Sequence, residues 1–356
     1  MTRPKALTRE VEIAGRTLGD GQPPLLVAEL SGNHKGELSR ALALVDAAAD
    51  AGADAVKLQT YRADTITLDH QGPGFVIQGG PWDGRSLYDL YQEASTPWEW
   101  HEALFSRARE RNLIAFSSPF DDTAVDFLES LGAPAYKIAS FGIVDTPLIE
   151  RAARTGKPVI ISTGMASDEE VQDAVKTAEK AGADGVVVLH CNSGYPTPTS
   201  ESNLRNLERL GELAKVPVGL SDHTLGTTVA TAAVALGAVM VEKHITLRRA
   251  DGGPDADFSL EPEEFARLCR ECRDTFAALG TIRSGRTKSE AGNGLLRRSL
   301  YAVENIAAGE MLTAKNVRSI RPSLGLPPKM LPEVLGKRAA KAIPRGTPLA
   351  WDLVLS

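Results

Sequence analysis

The regular alternation of short apolar runs with amphipathic runs constrains the fold more than any other feature of the sequence. Strands that are apolar along their whole length and are separated by helices form parallel sheets covered on both faces. Eight such units in succession over residues 1–280 predict a closed (β/α)8 or TIM barrel, an α/β fold. The candidate strands are residues 25–30, 55–60, 113–119, 135–140, 159–164, 186–192, 217–223 and 239–245.

Helical runs rich in Ala, Glu and Leu lie between these strands, and a last one at 262–279 follows them. An open, doubly wound sheet is the competing arrangement, but no G-x-G-x-x-G follows the first strand. Residues 61–96, rich in Gly, Asp, Trp and Tyr, form an insertion after the second strand. This insertion is longer than the usual connection, which favours a functional loop at the catalytic face of the barrel.

The alternation ends near residue 280, which predicts a second, smaller unit. Residues 281–298 are interpreted as a linker, and residues 299–356 as a compact unit of short strands and glycine turns. Two segments of this unit, IAAGEMLTAKNV and IPRGTPLAWDLV, are loose internal repeats. The unit is too small to be an enzyme by itself, so the chemistry is expected in the barrel.

Composition excludes several functional classes. The formal net charge is −6 and no long Lys/Arg run is present, which argues against nucleic-acid binding. No stretch approaches the ~20 apolar residues of a membrane helix, and the N-terminus MTRPKALTRE lacks the apolar core of a secretory signal. The three cysteines, Cys191, Cys269 and Cys272, cannot all pair, which favours the reducing cytoplasm. Cys269 and Cys272 lie in one helical run and are interpreted as structural cysteines.

Polar residues gather at the C-terminal ends of seven of the eight candidate strands. Polar groups inside apolar strands are costly unless they are satisfied, and barrel enzymes carry their active sites at this end of the strands. We therefore predict an active site there. The strand-end residues are Glu29, Lys57, Gln59, Ser117, Ser118, Lys137, Ser140, Ser162, Thr163, Ser221, Asp222, His223, Glu242, Lys243 and His244.

Lys57 and Lys137 would place two positive charges in one cavity, with hydroxyl donors from Ser140, Ser162 and Ser221. Such a set predicts a site for a small, doubly charged phosphate or carboxylate. Two alternatives remain open. Each lysine could instead be a structural residue paired with a nearby acid, or one of them could form a Schiff base in an aldolase.

His223 and His244 come from adjacent strands, so their rings could reach one divalent metal ion, for which Mn²⁺ or Mg²⁺ is the expected identity. A hydrogen-bonded pair of histidines is the structural alternative. Glu29, Glu242 and Asp255 are candidate acid/base groups or partners of metal-bound water. His190 and Cys191 are interpreted as core residues, and Asp222 either orients His223 or caps a loop.

The ordered segments AELSGNHKG, ADAVKLQTY, FSSPFD, AYKIAS, ISTGM, HCNSGYPTP, GLSDHT, EKHITL and GGPDADFSLEPEEF resemble the sialic acid synthase family along essentially the whole chain. The C-terminal stretch resembles that family's antifreeze-protein-like (SAF) domain. The resemblance implies a transferase that condenses phosphoenolpyruvate with an N-acetylated aminosugar. The loop GGPWDGRSLYDLYQEASTPWEWH and the C-terminal tail resemble the members that make pseudaminic acid from 2,4-diacetamido-2,4,6-trideoxy-L-altrose. Members that make N-acetylneuraminate or N,N'-diacetyllegionaminate are the alternatives.

The resemblance also implies roles for individual residues. The metal falls on His223 and His244, and the carboxylates Glu29, Glu242 and Asp255 lie near the reacting groups. Arg321 of the SAF domain would reach the sugar bound to a partner subunit, which implies a homodimer with swapped C-terminal domains. The phosphoenolpyruvate contacts fall on Lys57, Gln59, Ser118, Lys137, Ser140, Ser162, Ser193, Tyr195 and Ser221.

Residues 61–96 are a natural place to recognise the 4-acetamido and 6-methyl groups of the sugar. Trp82 and Tyr88 are the candidate contacts in this loop. Two other classes of protein remain to be separated from the synthase: a pyruvate aldolase, and a non-catalytic sugar-binding protein with a SAF module. Release of inorganic phosphate distinguishes the synthase from both.

Overall fold

The computed structural model describes residues 10–355, so the N-terminal segment examined for a secretory signal lies outside the described residues except for Glu10. The chain divides into two compact units after Gly280. No helix within residues 10–355 combines the length and the apolar character needed to cross a membrane.

Eight parallel strands of the first unit close into a barrel, so the predicted (β/α)8 fold is confirmed. Neighbouring strands follow chain order, and the last pairs with the first through the register His244↔Glu29. Each strand lies inside the range expected from the sequence. The barrel strands are β3 (Leu25–Glu29), β4 (Ala55–Thr60), β5 (Ile114–Pro119), β6 (Tyr136–Ile138), β7 (Val159–Ser162), β8 (Val186–Cys191), β9 (Val218–Asp222) and β10 (Met240–His244).

Amphipathic helices cover the outside of the barrel. Their ends carry the expected signals: the helix at Asp168–Ala181 begins with a Ser167–Glu170 capping box and ends at Gly182 with φ of 99°. The helix expected at 262–279 has those bounds in the structure. The helices are α1 (Leu38–Asp50), α2 (Ala63–Ile66), α3 (Leu87–Ala94), α4 (His101–Glu110), α5 (Asp122–Ser130), α6 (Thr146–Ala153), α7 (Asp168–Ala181), α8 (Asn206–Ala214), α9 (Thr228–Ala235) and α10 (Pro262–Leu279).

The period-2 alternation of the strands sorts their side chains between the barrel interior and the helix layer. Residues directed at the helices form the larger apolar cluster, which includes Val56, Val188 and Val241. Residues directed inward form a separate apolar cluster at the N-terminal end of the barrel, and the polar strand-end residues continue the same inward rows above it. The inward apolar cluster of strand residues comprises Leu25, Val27, Ala55, Phe116, Ile160, Val187, Leu189 and Met240.

A small hairpin that the sequence analysis missed closes the N-terminal end of the barrel. Strands β1 (Val11–Ile13) and β2 (Arg16–Leu18) pair antiparallel across a turn at Gly15, which has φ of 79°. The buried side chains Val11, Ile13 and Leu18 pack on the inward apolar cluster. Two strands of three residues give no recognisable periodic signal, which explains the omission.

The second unit has its own core. Strands β11 (Ser299–Ala302) and β12 (Val317–Ile320) pair antiparallel, and a single helical turn, α11 (Leu331–Val334), follows. The two repeats noted in the sequence are structurally equivalent: Ile306 pairs with Ile343, and Gly309 and Gly346 both adopt positive φ. The core residues of this unit are Leu300, Ala302, Ile306, Leu312, Val317, Val334, Ala339, Ile343, Leu349, Leu353 and Val354.

Candidate active site

A buried ion cluster around Lys57 lies at the C-terminal end of the barrel strands. The Lys57 ammonium is 3.0 Å from Glu29 Oε2 and 3.2 Å from Glu242 Oε1. It also donates to Ser118 Oγ at 3.3 Å, and Gln59 Nε2 donates to Glu29 Oε1 at 2.9 Å. Because β10, β3, β4 and β5 are consecutive neighbours, the strand order alone brings these five residues together.

The two carboxylates of this cluster have pKa values shifted in opposite directions. Burial raises the pKa of Glu29 above its ordinary value, although Lys57 opposes the shift. Burial would also raise the pKa of Glu242, but Lys57 and Lys137 outweigh it and the pKa is lowered. Burial alone would lower the pKa of Lys57, and the two carboxylates raise it instead. Glu242 and Lys57 therefore form the permanent ion pair, and Glu29 is the group suited to exchange a proton.

Lys137 forms a second positive centre on β6. Its ammonium donates to Ser162 Oγ at 2.7 Å and to the Ile138 carbonyl at 3.1 Å. Burial lowers the pKa of Lys137 to about 8, because Glu242 only partly offsets the loss of hydration. Ser221 Oγ donates to Glu242 Oε1 at 3.2 Å. Glu242 thus stands between the two lysines and links their surroundings.

Gly164 brings two serine hydroxyls close to the Lys137 centre. Its amide donates to Ser140 Oγ at 3.1 Å. A Cβ built on Gly164 would lie 2.1 Å from Ser193 Oγ and 2.8 Å from Ser140 Oγ, so no other residue fits without displacing one of them. The arrangement of an ammonium and several hydroxyls around a glycine backbone is suited to a multiply charged anion.

The two histidines predicted to bind metal face each other, with ring centroids 5.4 Å apart. His223 Nδ1 donates to the Asn192 carbonyl at 2.9 Å, which leaves Nε2 free to bind a ligand. His244 Nδ1 is buried without a hydrogen-bond partner, 3.8 Å from Asp255 Oδ2. Burial and the neighbouring His223 lower the pKa of His244 well below its ordinary value, so its imidazole is neutral. A neutral, unpartnered imidazole nitrogen fits a metal ligand.

Asp255 lies on the loop after β10, beside the histidine pair. Its carboxylate accepts a hydrogen bond from Ser31 Oγ, and burial raises its pKa. Within residues 10–355, no three His, Cys, Asp or Glu side chains are grouped closely enough to hold a metal by themselves. An ion at the two histidines would therefore complete its coordination with water or with substrate oxygens.

An aromatic wall flanks the histidines. The ring of Tyr195 lies 4.5 Å from that of His223 and 5.2 Å from that of Phe258, between centroids. Trp82 extends the wall, with its ring 5.6 Å from Tyr195. Tyr88 lies half-buried on α3, and no described hydrogen bond or ring contact joins it to this wall. Of the two loop residues proposed for the sugar, the structure brings Trp82 to the site and leaves Tyr88 apart from it.

Two neighbouring residues refine the sequence interpretation. Of the two roles open for Asp222, the structure shows the loop cap: its carboxylate accepts from the Thr224 amide at 2.9 Å and from Lys243 at 2.6 Å, and no described hydrogen bond joins it to His223. Cys191 is not remote from the site, because its sulfur lies 3.8 Å from His223 Nδ1. Strand alternation could have revealed this position, since Cys191 continues the inward row of Val187 and Leu189.

Arg321 lies in the second unit, where it is exposed and precedes a cis peptide bond to Pro322. Cys269 and Cys272 are free and buried on α10, in agreement with a structural role. His190 faces the helix layer and bonds to the Ser202 carbonyl at 2.7 Å, as expected for a core residue.

Comparisons with known proteins agree with the family resemblance seen in the sequence. Residues 44–284 match the NeuB family and residues 297–355 match the SAF domain. A pseudaminic acid synthase of Helicobacter pylori is 44% identical over 332 residues, which cover 93% of this chain and 98% of that protein. A pseudaminic acid synthase of Campylobacter jejuni is 42% identical, over 91% of this chain and 94% of that protein.

Among solved structures, an N-acetylneuraminic acid synthetase from Leptospira borgpetersenii superposes with a TM-score of 0.72 at 32% identity. The superposition covers 80% of this chain and 95% of that chain. The match to the family extends over most of the barrel, and the relatives match nearly from end to end. The chain belongs to the NeuB family.

Proposed function

We propose that the chain is a pseudaminic acid synthase, a transferase that condenses phosphoenolpyruvate with 2,4-diacetamido-2,4,6-trideoxy-L-altrose and water and releases phosphate. The observation that carries this proposal is the pair of buried lysines. Lys57 and Lys137 stand in two separate polar surroundings joined by Glu242, next to a pair of histidines. Phosphoenolpyruvate has two anionic groups, and the two lysines offer one cation for each.

The residues near Lys137 suit the phosphate, because Ser162 Oγ accepts from its ammonium and the hydroxyl groups of Ser140 and Ser193 lie against Gly164, two residues after Ser162. The residues around Lys57 suit the carboxylate and the reacting carbons. Lys57 already pairs with Glu29 and Glu242, so the substrate carboxylate competes with these side chains for the ammonium. The full proposed set for phosphoenolpyruvate is Lys57, Gln59, Ser118, Lys137, Ser140, Ser162, Ser193, Tyr195 and Ser221.

The proposed reaction follows from the electron distribution of the enol phosphate. Its C3 attacks the aldehyde carbon of the open-chain sugar, which forms the new C–C bond and leaves positive charge at C2. Water adds at C2 and gives up one proton. The C2–O bond to phosphate then breaks while the new C2 hydroxyl passes its proton to the departing phosphate, which leaves the ketone. The aldehyde oxygen gains a proton and becomes a hydroxyl group. Lysines that hold the phosphate need not change charge at any step.

Glu29 is the proposed acceptor of the proton from water. Its raised pKa brings it nearer to neutral pH, where a general base transfers protons most effectively. Gln59 donates to the other carboxylate oxygen of Glu29 and so fixes its orientation. Glu242 stays ionised beside the lysines and stabilises the positive charge that develops at C2. Asp255, beside the histidines, is the proposed partner of the sugar.

We propose that His223 and His244 hold a divalent ion, Mn²⁺ or Mg²⁺. When bound, such an ion supplies Lewis-acid polarisation of the sugar aldehyde. Dialysis against a chelator is expected to abolish activity, and added Mn²⁺ is expected to restore it. Binding of Mn²⁺ measured by electron paramagnetic resonance should be lost in H244A. Undiminished Mn²⁺ binding by that variant would refute the assignment.

The assay that tests the proposed function measures phosphate released from phosphoenolpyruvate with three acceptors. These are the altrose derivative, 2,4-diacetamido-2,4,6-trideoxymannose and N-acetylmannosamine. The altrose derivative is expected to have the highest kcat/KM, and a higher value for either other sugar would assign the alternative product. An aldolase would instead consume pyruvate without phosphate release, and borohydride would trap pyruvate on one of the lysines.

Trp82 and Tyr88 are proposed to contact the apolar groups of the trideoxy sugar. For Trp82 the proposal is supported by the contact of its ring with Tyr195 in the aromatic wall. For Tyr88 it is supported only by the position of this residue in the same loop. The paired substitutions W82A and Y88A should each reduce the preference for the trideoxy sugar over N-acetylmannosamine. An unchanged preference in either variant removes that residue from the sugar site.

A cytoplasmic homodimer with swapped C-terminal domains is the proposed assembly. Residues 281–356 contain 13 Lys and Arg against 5 Asp and Glu, whereas residues 1–280 contain 27 against 41. This contrast favours attraction between the second unit of one copy and the barrel of another. Exposed apolar residues also follow the barrel strands at the catalytic end, namely Phe141, Val144, Met165 and Leu225.

The swapped arrangement is tested by complementation. E29Q would inactivate the barrel and leave Arg321 intact, while R321A would leave the barrel intact and remove the arginine. Co-expression of the two inactive variants should regain activity, because a mixed dimer then has one complete site. If the mixture stays inactive while ultracentrifugation shows mixed dimers, Arg321 does not act on the partner subunit.

Gly164→Ala is expected to raise the KM for phosphoenolpyruvate by about 100-fold or more, a loss of about 2.7 kcal/mol of binding. The added methyl group would lie 2.1 Å from Ser193 Oγ and must displace a hydroxyl group from the phosphate site. Initial rates at varied phosphoenolpyruvate give the KM, and Gly142→Ala is the control, since a Cβ there meets only Ile138 at 3.6 Å. Normal KM in G164A would contradict the phosphate assignment.

The kcat/KM for phosphoenolpyruvate is expected to fall as pH rises through about 8, the pKa to which burial lowers Lys137. Below this pH Lys137 is charged and attracts the anion, whereas above it the free enzyme loses that charge. Arginine keeps its charge at such pH values, so whatever activity K137R retains should show no fall in this range. An identical decline in both proteins would assign the transition to another group.

A further inference from the structure

Trp82 stands at the end of a hairpin inside the long loop after β4. The Ile77 amide bonds to the Arg85 carbonyl and the Gly84 amide to the Ile77 carbonyl, both at 2.9 Å. Gly79, Gly80 and Gly84 have positive φ, which lets the chain reverse within a few residues. The hairpin therefore presents the indole from a tight turn instead of from a helix or strand.

The indole contacts two other active-site loops at once. Its Nε1 donates to the Pro254 carbonyl at 2.9 Å, and its ring lies 5.6 Å from Tyr195. Pro254 precedes Asp255, whose carboxylate is 3.8 Å from His244 Nδ1. Tyr195 lies against His223. Pro254 thus links Trp82 to Asp255 on the sugar side, and Tyr195, a member of the proposed phosphoenolpyruvate set, links it to His223.

The segment held by Trp82 contains two glycines in positive-φ conformations. Gly252 and Gly253 precede Pro254 and adopt φ of 69° and 131°. Glycines in such conformations lose more backbone entropy on ordering than other residues do. Ser31 holds the Asp255 carboxylate, and the Trp82 bond holds the backbone one residue earlier. Ser259 Oγ also donates to the Asp255 carbonyl, and the Gly32 amide donates to its carboxylate, so the Trp82 bond is one of four contacts that orient this residue.

The base of the same loop is held by a different set of contacts. His101 bonds to Thr60 Oγ1 at 2.8 Å, before the loop, and to the Pro97 carbonyl at 3.2 Å, after it. Trp98 Nε1 donates to the Tyr61 carbonyl at 3.4 Å. Among the described hydrogen bonds made by residues 76–86, only the bond from Trp82 Nε1 reaches a residue outside the loop of residues 61–96. The hairpin therefore depends on Trp82 for its place over the barrel.

We infer that Trp82 is a positioning residue for the sugar: its indole N–H holds Asp255 in place through the Pro254 carbonyl, and its ring packs at a tilted angle against Tyr195. This inference rests on the proposed function. It assigns the effect of the indole N–H to the acceptor, because this group reaches Asp255 through Pro254, whereas the ring contact with Tyr195, a proposed phosphoenolpyruvate residue, is kept when another aromatic ring stands at position 82. It also extends the role of Trp82 beyond direct contact with the sugar's apolar groups.

The test compares W82F with W98F. Both substitutions keep an aromatic ring and remove one indole N–H that donates to a backbone carbonyl of the active-site loops. W82F is expected to raise the KM for the sugar about fivefold to tenfold, as for one lost hydrogen bond, and to leave the KM for phosphoenolpyruvate unchanged. W98F should lower the melting temperature without changing the KM for the sugar relative to the KM for phosphoenolpyruvate. W82A, which also loses the ring contact, should raise the sugar KM further.

The controls separate this inference from the proposed function. Turnover by the wild-type enzyme with any of the three acceptors tests the function, whereas the ratio of the two KM values in W82F tests the positioning role. Calorimetric binding of phosphoenolpyruvate to W82F confirms that the variant is folded and that the phosphate side is intact. A sugar KM in W82F within twofold of wild type, or an equal rise in both KM values, would overturn the inference.

Discussion

Glutamine at position 29 is expected to lower kcat by about 10²- to 10⁴-fold, the usual contribution of a general base. The side chain is fully buried and glutamine has the same shape, so the change removes the proton acceptor with little effect on packing. Lys57 keeps Glu242 as its partner. Steady-state phosphate release gives kcat, and calorimetry should show that phosphoenolpyruvate still binds.

The matched control is E129Q. Glu129 also pairs with a lysine, Lys157, and accepts from Tyr136, but it lies on the outer face of the barrel. Its replacement should alter the melting temperature slightly and leave kcat unchanged. If E29Q retained kcat within a few fold of wild type, the proton of the attacking water would have to pass to another group.

Lys57→Met is expected to destabilise the barrel by about 3–5 kcal/mol, the usual cost of removing one partner of a buried ion pair. Glu29 and Glu242 would then lie buried without a cation within hydrogen-bonding distance. The same change should lower kcat/KM by about 10³-fold or more, because the substrate carboxylate loses its charged hydrogen-bond donor. Chemical denaturation measures the free energy of unfolding, and phosphate release measures activity.

A double variant separates the two effects of Lys57. Burial raises the pKa of Glu29 and loss of Lys57 removes the group that opposes this shift, so in the K57M variant Glu29 can take up a proton while Glu242 keeps its charge. K57M/E242Q removes that remaining charge and should recover most of the lost stability. The double variant should recover no activity, since it lacks both the Lys57 ammonium and the Glu242 carboxylate. Equal stability of K57M and the wild type would mean that the ion cluster does not carry the predicted energy.

The fold was predictable because each barrel strand has both a buried apolar run and clear helical neighbours. All eight strands lie within the predicted ranges, and α10 has the predicted bounds. The hairpin of β1 and β2 and the short helices α2 and α3 were not anticipated. Elements of three to eight residues carry too few positions for a period to emerge, and their stability comes from packing on the rest of the unit.

The site was predictable as a set of strand ends but not as a set of contacts. The sequence placed Ser117 and Ser118 together, yet only Ser118 faces Lys57, while Ser117 bonds to Thr60 in the helix layer at 2.6 Å. The same one-residue choice separates Cys191, at the site, from His190, outside it. Which member of such a pair faces inward depends on the strand register, and a one-residue shift reverses it.

The hairpin of β1 and β2 adds Val11, Ile13 and Leu18 to the packed apolar cluster at the N-terminal end of the barrel. Within residues 10–355, this packing favours access to Lys57 and Lys137 from the opposite end, where the strands finish. Water is a reactant in the proposed chemistry, so its supply is limited by the same passage as the two substrates. Whatever covers that rim, whether the hairpin bearing Trp82 or a second subunit, also determines how many water molecules are enclosed with the reacting carbons.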